Sequence, residues 1–464
     1  MKGKTRSRKV VYIVTLCILL RLILFVAVRP WEAQALEEAV LRADAKGYHQ
    51  LSVTLSTTDR LAFRDGGELT ALRTPLYPLF VSFWYGLFGP HPWPVILMQG
   101  ILDTLSCFLL YCVFDRVAGE RVATFGALFY AIDPILILFT NTLYSDTLFV
   151  FLLVAGFFFF SRLFVDVSGR QALIAVSAGA LFFGLATLTR PIAQYLYVPV
   201  FAVLAISFRH NLRRAVRLGL AFGLVFVLVL LPWLVRNEVR FGHFALSTSG
   251  DLNLLLLYAT PVEAEISRER TIDDVQAGLV SEARALTLAE GASPERLNQF
   301  ERAHYYRRVA LRTIRRHPVT FIKHYVSGIL RNFVTPGTGS YGRILQIADD
   351  PGFDAMGSAN LFDLAVRWFR HRNVTQQILG LFILLEIGVS YLLMVIALPT
   401  AWKRGNRPFF LFCVLLALYF TALAGPAGRP RFRLPVIPFY LYFVGMGATV
   451  VLAKVGRLKS RRVA

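Results

Sequence analysis

The segment Gly428-Arg429-Pro430-Arg431-Phe432-Arg433-Leu434-Pro435 places three guanidinium groups on alternate residues of a short, proline-bounded stretch. Arginine binds phosphate through two parallel N–H bonds, so such a cluster suits a phosphate or phosphodiester ligand. Two more arginines open proline-containing segments, Arg73 in RTPLYP and Arg190 in RPIAQY, and Arg236 with Asn237 closes PWLVRN. Two acids sit in similar polar breaks, Asp44 in ADAKGYHQLS and Asp146 in TNTLYSDTLF. A carboxylate beside several cations can take a proton from a nucleophile while the cations neutralise a leaving phosphate. Taken singly, the arginines could merely reach lipid phosphates and the acids could merely cap helices. The alternating triplet is the exception, because a short turn carrying three cations is expected to aim several of them at one locus.

No competing chemistry is signalled. The eight histidines have no metal-ligand spacing, and no P-loop or dinucleotide fingerprint is present. No metal and no cofactor are expected. His49 adjoins Tyr48 and could touch an acceptor, although an ordinary surface histidine is the plainer reading. Cys17, Cys107, Cys112 and Cys413 all lie in apolar runs and form no CxxC, which reads as core packing.

The elements that must carry these residues follow from composition. Of 464 residues, 56% are hydrophobic and 17% charged, against about 25% charged in a soluble domain. Mean hydropathy is +0.55. These values exclude disorder, a fibrous protein and an ordinary cytosolic enzyme. The net charge of +21 falls between long apolar runs, so membrane topology explains it more simply than nucleic-acid binding. A bilayer crossing takes about 20 apolar residues. That rule predicts an all-α polytopic membrane protein with about ten spans, near 10–28, 93–114, 122–141, 147–165, 171–188, 191–208, 215–235, 376–399, 408–424 and 434–453. The first span is too long for a signal peptide and reads as a retained anchor.

Lysine and arginine in the short loops set the orientation. With tail 1–9 in the cytoplasm, the loops holding Arg116 and Arg121, Arg162 and Arg170, Arg209 to Arg217, and Lys403 to Arg407 share its side, as does tail 454–464. Three blocks follow: a catalytic module over 10–235 that includes an outer loop at 29–92, a second outer loop over 236–375, and C-terminal spans over 376–453. The first outer loop is expected to hold a helix from Glu32 to Leu55 and an apolar stretch, Pro75 to Phe88, lying flat at the interface. The second is expected to be polar helix and turn from Glu263 to Asn298. From Tyr305 to Phe333 it reads as an interfacial helix pair interrupted at Pro318. All the candidate site residues then emerge on the outer side. Four further charges, Arg21, Asp103, Asp133 and Glu386, fall near the midplane, where charges pair or line a cavity. Arg21 with Asp103 is the natural pair, Asp133-Pro134 should kink the third span, and Glu386 has no obvious partner.

Asp44-x-x-x-Tyr48, RTPLYP, Tyr144-Ser145-Asp146, LTRP, PWLVRN-x-x-x-FG and RPRFRLP, in this order, resemble recurring segments of the GT-C membrane glycosyltransferases. The nearest likeness is to the protein O-mannosyltransferase and lipid A aminoarabinose transferase families. It covers about 10–260 and 375–455. The family often has Asp-Glu where this chain has Asp44-Ala45. The resemblance implies a GT-C helical bundle with interfacial helices in the first outer loop. It implies a polyprenyl-phosphate sugar donor and a lipid, glycan or protein acceptor, used at the outer face of the inner membrane with inversion at the sugar carbon. Asp44 would be the base and Asp146 would orient it or the acceptor. Arg73, Arg190, Arg429, Arg431 and Arg433 would hold the donor phosphate, supported by Tyr48, His49, Tyr77, Arg236 and Asn237. Two other readings stay open: a transporter or flippase of lipid-linked sugars, and a ligase or polymerase using a lipid diphosphate-linked glycan.

Overall fold

A computed structural model describes residues 2–165, 167–267, 270–346 and 374–463. Positions 347–373 of the expected second outer loop, and the side chains at the two basic ends (2–7 and 457–463), lie outside the described residues. Among those described, the one β pairing is a single bridge between Ala62 and Leu69. The remainder is helix and loop.

The main helices in chain order are α1 (Lys2–Val28), α2 (Asp44–Thr58), α3 (Leu76–Phe88), α4 (Pro92–Ala118), α5 (Glu120–Ile132), α6 (Pro134–Thr140), α7 (Asp146–Phe160), α8 (Gly169–Thr189), α9 (Tyr197–Ser207) and α10 (Leu212–Phe241). Then come α11 (Ile272–Ala289), α12 (Gln299–Arg316), α13 (Pro318–Val334), α14 (Val374–Arg404), α15 (Arg407–Ala424) and α16 (Ile437–Val463). Eight described helices are long and apolar enough to cross a bilayer, or nine if the bent pair α5–α6 is one span. Eight of the ten expected crossings, or nine with the bent pair, are thus accounted for. The tenth, 191–208, forms as a 3-10 turn, Pro191–Tyr195, followed by α9, and is shorter than the others.

Proline and the charges near the midplane explain the breaks. Pro134 lacks an N–H and cannot continue α5, so α5 and α6 meet at 53°. Asp133 caps α6, accepting from the amides of Ile135 (2.9 Å) and Leu136 (3.0 Å). Arg21 and Asp103 pair as expected, at 2.7 Å between Nη2 and Oδ2, and both are buried. Tyr130 Oη donates to the other Asp103 oxygen (2.6 Å), so the acid is satisfied on both sides. Glu386, for which the sequence offered no partner, accepts from Ser390 Oγ one turn along its own helix (2.8 Å). The apolar stretch expected at the interface forms α3, 13 residues long, with Leu79, Phe83 and Leu87 exposed along one side.

The core is aromatic. Phe157 sits within 5.2 to 5.6 Å, centroid to centroid, of Phe409, Phe412 and Phe439. Helix α16 runs through this core between α5 and α14, and glycine permits the approach. A Cβ on Gly447 would lie 2.0 Å from the Leu393 carbonyl, and one on Gly445 would lie 2.3 Å from that of Val122. Both neighbours are backbone, which cannot swing away.

The loops expected on the cytoplasmic side meet at one end of the bundle. Lys9 pairs with Glu120 (2.8 Å), Arg116 donates to Ser161 (2.7 Å), and Asn406 donates to the Phe164 carbonyl (2.6 Å). Gly447→Val should therefore force α14 and α16 apart and cost about 1–3 kcal/mol of stability. Gly388→Val, where a Cβ meets nothing within 4 Å, should be tolerated. Thermal unfolding of the detergent-solubilised protein reads both; equal melting points would contradict the packing described.

Candidate active site

Two helices begin on an acid. The expected continuous helix from Glu32 to Leu55 is broken: Ala33–Val40 ends where Arg42 Nε donates to the Glu38 carbonyl (2.8 Å), and α2 starts afresh at Asp44. Between them Ala43 takes φ 49°, a conformation that costs a non-glycine residue about 1–3 kcal/mol and persists only where the surroundings enforce it. The break puts Asp44 in the first turn of α2, where the helix dipole favours a negative charge. Asp146 holds the same position in α7 and is 1% exposed. Arg190 sits at the C-cap of α8, the end that favours a cation.

One side chain joins the two acids. Arg431 Nη1 donates to Asp44 Oδ2 (2.6 Å), and Arg431 Nε donates to Asp146 Oδ2 (2.7 Å). The outer carboxylate oxygens are also held. Arg73 donates to Asp44 Oδ1 (2.5 Å), and Arg190 donates to Asp146 Oδ1. Two carboxylates and three guanidinium groups thus form a continuous chain, Arg73–Asp44–Arg431–Asp146–Arg190. Burial would raise the Asp44 carboxyl, but Arg431 and Arg73 outweigh it and hold the group well below the usual carboxylate range.

Aromatic rings line the cluster. The Arg431 guanidinium lies 4.3 Å from the Tyr144 ring centroid, and that of Arg73 lies 5.0 Å from Tyr48. Tyr48, one turn after Asp44, donates to Ser145 Oγ (3.1 Å) and so ties α2 to the start of α7. Tyr77 packs edge-on against Tyr48 at 4.7 Å and donates to Gln99 Oε1 (2.8 Å). Gln99 in turn holds the 140–142 break through the carbonyls of Thr140 (3.1 Å) and Thr142 (2.8 Å). Tyr48 and Tyr77 therefore position the acids.

Four expected site residues are placed elsewhere. Arg433 is fully buried and donates to the Phe333 carbonyl (2.8 Å) instead of to either acid. The cause is local: Pro430–Arg433 is a 3-10 turn of three residues per turn, so positions two apart diverge instead of pointing together. His49 contacts the Tyr85 hydroxyl (2.8 Å) beside α3, and burial lowers its pKa. Arg236 and Asn237 lie inside the last turns of α10, which runs on to Phe241. Arg236 bonds the Thr70 carbonyl (3.2 Å), and Asn237 bonds that of Ala245 (2.7 Å), so both hold loops.

Arg429 lies at the head of the 430–433 turn. Its backbone N–H donates to Asn332 Oδ1 (2.8 Å), and Asn332 Nδ2 donates to the Gly425 carbonyl (3.3 Å). Sequence reasoning did not single out Asn332, Gln99 or the ring of Tyr144 for a role. Gln99, an amide in an apolar run, was a usable signal, whereas Asn332 gave none. Among the described residues no three His, Cys, Asp or Glu side chains gather in a metal-holding group.

Comparison with known proteins agrees with this architecture. AglB, an oligosaccharyltransferase from the archaeon Archaeoglobus fulgidus solved with an inhibitory peptide and a dolichol-phosphate, superposes over 99% of this chain and 52% of its own, with a TM-score of 0.56 and 14% identity. The chain has the GT-C fold. The fold resemblance read from the sequence is thereby borne out. A family model for dolichyl-phosphate-mannose-protein mannosyltransferases matches residues 72–234, a segment that contains Arg73, Asp146 and Arg190. YycA of Bacillus subtilis strain 168, whose name marks it provisionally as a mannosyltransferase, is 26% identical over 142 residues, which are 31% of this chain and 20% of YycA. ArnT from Cupriavidus metallidurans aligns over 95% of this chain and 78% of its own at 17% identity, with a TM-score of 0.44. The chain thus spans about half the length of AglB and a smaller share of YycA.

Asn332→Ala should loosen the turn that carries Arg431 and leave the part-buried Arg429 N–H without its acceptor, a loss of about 1 kcal/mol. Asn332→Asp, which keeps the acceptor, should lose less. Chemical denaturation monitored in detergent distinguishes the two, and identical midpoints for both variants and wild type would contradict the assignment.

Proposed function

We propose that this chain is a membrane glycosyltransferase that moves a sugar from a polyprenyl-phosphate donor to an acceptor hydroxyl, with inversion at C1. The observation that carries the reading is the bridging of Asp44 and Asp146 by Arg431, flanked by Arg73 and Arg190. The same cluster excess, three guanidinium groups over two carboxylates, leaves one positive charge to meet the single negative charge of a sugar phosphodiester. A lipid diphosphate would bring more charge than this cluster balances. The dolichyl-phosphate-mannose description of the matching family model and the dolichol-phosphate bound to AglB support the same donor class.

The chemistry is a single displacement. The acceptor oxygen attacks C1, the C1–O bond to phosphate breaks, and its electron pair passes to the phosphate oxygen. The acceptor proton goes to Asp44. Charge grows on the leaving phosphate, where Arg431, Arg73 and Arg190 neutralise it, each well-placed donor contributing about 3 kcal/mol. Asp146 holds Arg431 and Arg190 in register. Donor phosphate competes with Asp44 for Arg431 and Arg73, so donor binding frees the base that those arginines otherwise silence. Positive residues in the loops at the opposite end of the bundle support a reading in which both termini are cytoplasmic and the site works at the outer face of the inner membrane.

In cells lacking the protein, the donor should accumulate as a lipid-linked sugar, which lipid profiling identifies. Wild type should clear it. Asp44→Asn should not, with turnover down by about 10²–10⁴-fold; clearance at the wild-type rate would remove Asp44 as base. Arg431→Lys loses the fork that reaches both acids and should be slowed by about 10²–10³-fold.

The pH profile gives a separate check. Asp44 must be deprotonated to act, so activity is lost as pH falls through its pKa. In the free protein that value lies well below the usual range, so kcat/KM should show no acid limb down to about pH 5. The kcat profile, which reports the donor complex, should fall at a higher pH than kcat/KM does. Coincident limbs would contradict the release of Asp44 by donor.

A further inference from the structure

A second feature lies along the segment that leads into Arg73. A cleft of about 230 Å³ opens between the 61–72 segment, the 248–252 turn and α12. Its position follows from two connections. Leu72, in its wall, immediately precedes Arg73, which holds Asp44. Phe63, also in its wall, lies 3.5 Å from where a Cβ would stand on Gly47, within the turn of α2 that follows Asp44. The cleft therefore shares its walls with the segments that carry Arg73 and pack on the first turn of α2.

The lining defines what fits. Gln299 is committed to structure, accepting from Thr70 Oγ1 and the Ala71 amide (both 3.0 Å), so that wall is fixed. Three other polar groups are available. The hydroxyls of Thr248 and Tyr306 make no side-chain hydrogen bond among the described residues. Arg302 stands 4.0 Å from the Glu68 carboxylate, a distance that leaves its N–H groups open, and Glu68 is 87% exposed. Phe63 adds an aromatic ring. An aromatic face with two hydroxyls and a guanidinium around it is suited to a sugar ring, whose C–H face stacks on the aromatic and whose hydroxyls take the hydrogen bonds. Drug-sized ligands occupy about 300–1,000 Å³, so a cleft below that range holds a single ring.

The geometry points to this cleft as the acceptor subsite, with a saccharide as the acceptor rather than a peptide. This rests on the glycosyltransferase reading above. It assigns Phe63, Thr248, Arg302 and Tyr306 to acceptor recognition and accounts for the close seating of α12 on the first loop.

The test uses the full-length protein in lipid nanodiscs and saturation-transfer difference NMR. The probes are methyl glycosides of mannose, glucose, galactose and N-acetylglucosamine, and a short threonine-containing peptide. At least one glycoside should bind, and the double variant Arg302→Gln/Tyr306→Phe should weaken it at least about tenfold, the loss of two polar contacts. Arg316→Gln, at the far end of the same helix, removes the same charge and should leave binding unchanged. The proposal is overturned if no glycoside binds, if the double variant binds as wild type does, or if Arg316→Gln weakens binding equally. It is also overturned if the peptide alone shows a signal that the double variant abolishes. No lipid donor is present, so this outcome is independent of the Asp44→Asn result: activity surviving that variant removes the proposed base, whereas these measurements judge the cleft alone.

Discussion

A single guanidinium group held between two carboxylates is the constraint on which the rest of the structure depends. Asp44 and Asp146 lie 102 positions apart, and Arg431 is 285 beyond the second. Like charges brought this close repel, and in a partly buried setting neither carboxylate tolerates the other without a cation between them. The planar fork of arginine is the side chain that can answer both acids at once, through Nε on one side and Nη1 on the other. Three chain segments must therefore end at one point: the start of α2, the start of α7 and the 430–433 turn. The local structure serves that meeting. The backbone conformation at Ala43 starts α2 on its acid, and Asn332 and the close seating of Gly328 on Pro426 fix the loop that delivers Arg431.

The spans were legible because a bilayer imposes length and apolarity, and both are countable. The Arg21–Asp103 pair was legible for a related reason: two opposite charges on neighbouring spans at one depth have little choice but to meet. Convergence of Asp44, Asp146, Arg73, Arg190 and Arg431 was legible as a common side, since every one of them falls in a break at the same end of the spans. What the sequence could not convey was direction around a turn. Alternating arginines point together on an extended strand and apart on a 3-10 turn, and the residues 430–433 are the latter. Arg433 therefore enters the core, near Asp133, Glu386, Tyr391 and Tyr440, whose charges and dipoles surround it there. The extension of α10 through Arg236 and Asn237 was hidden for a similar reason. Their polarity reads as a helix end, yet the helix continues to Phe241 because Asn237 and Trp233 bond the returning 245–246 backbone.

Two polar systems thus lie at different depths and differ in kind. The deeper one, around Arg21, Asp103 and Tyr130, is buried, with the acid bonded on both oxygens. Its energetic character is that of a buried ion pair, costly to break from one side and worth little as net stabilisation. The shallower one carries an excess of positive charge and is partly exposed, with Asp44 and Arg73 each near 30% accessible. An unbalanced, accessible cluster is poised to accept an anion, whereas a balanced and buried one is not. That contrast separates the structural charges from the functional ones more sharply than burial or pKa alone.

The same imbalance constrains the order of events in the proposed reaction. With Arg431 and Arg73 both on Asp44, its carboxylate is a poor base, because the guanidinium groups stabilise the charge that proton uptake would remove. An acceptor arriving first would meet a silenced carboxylate. A donor phosphate arriving first offers the two arginines an anion with better-matched geometry and returns basicity to Asp44 as they shift toward it. Water is the acceptor most to be feared, and it is always present. A base that is neutralised until the donor phosphate is seated keeps its basicity for the moment when both substrates are in place.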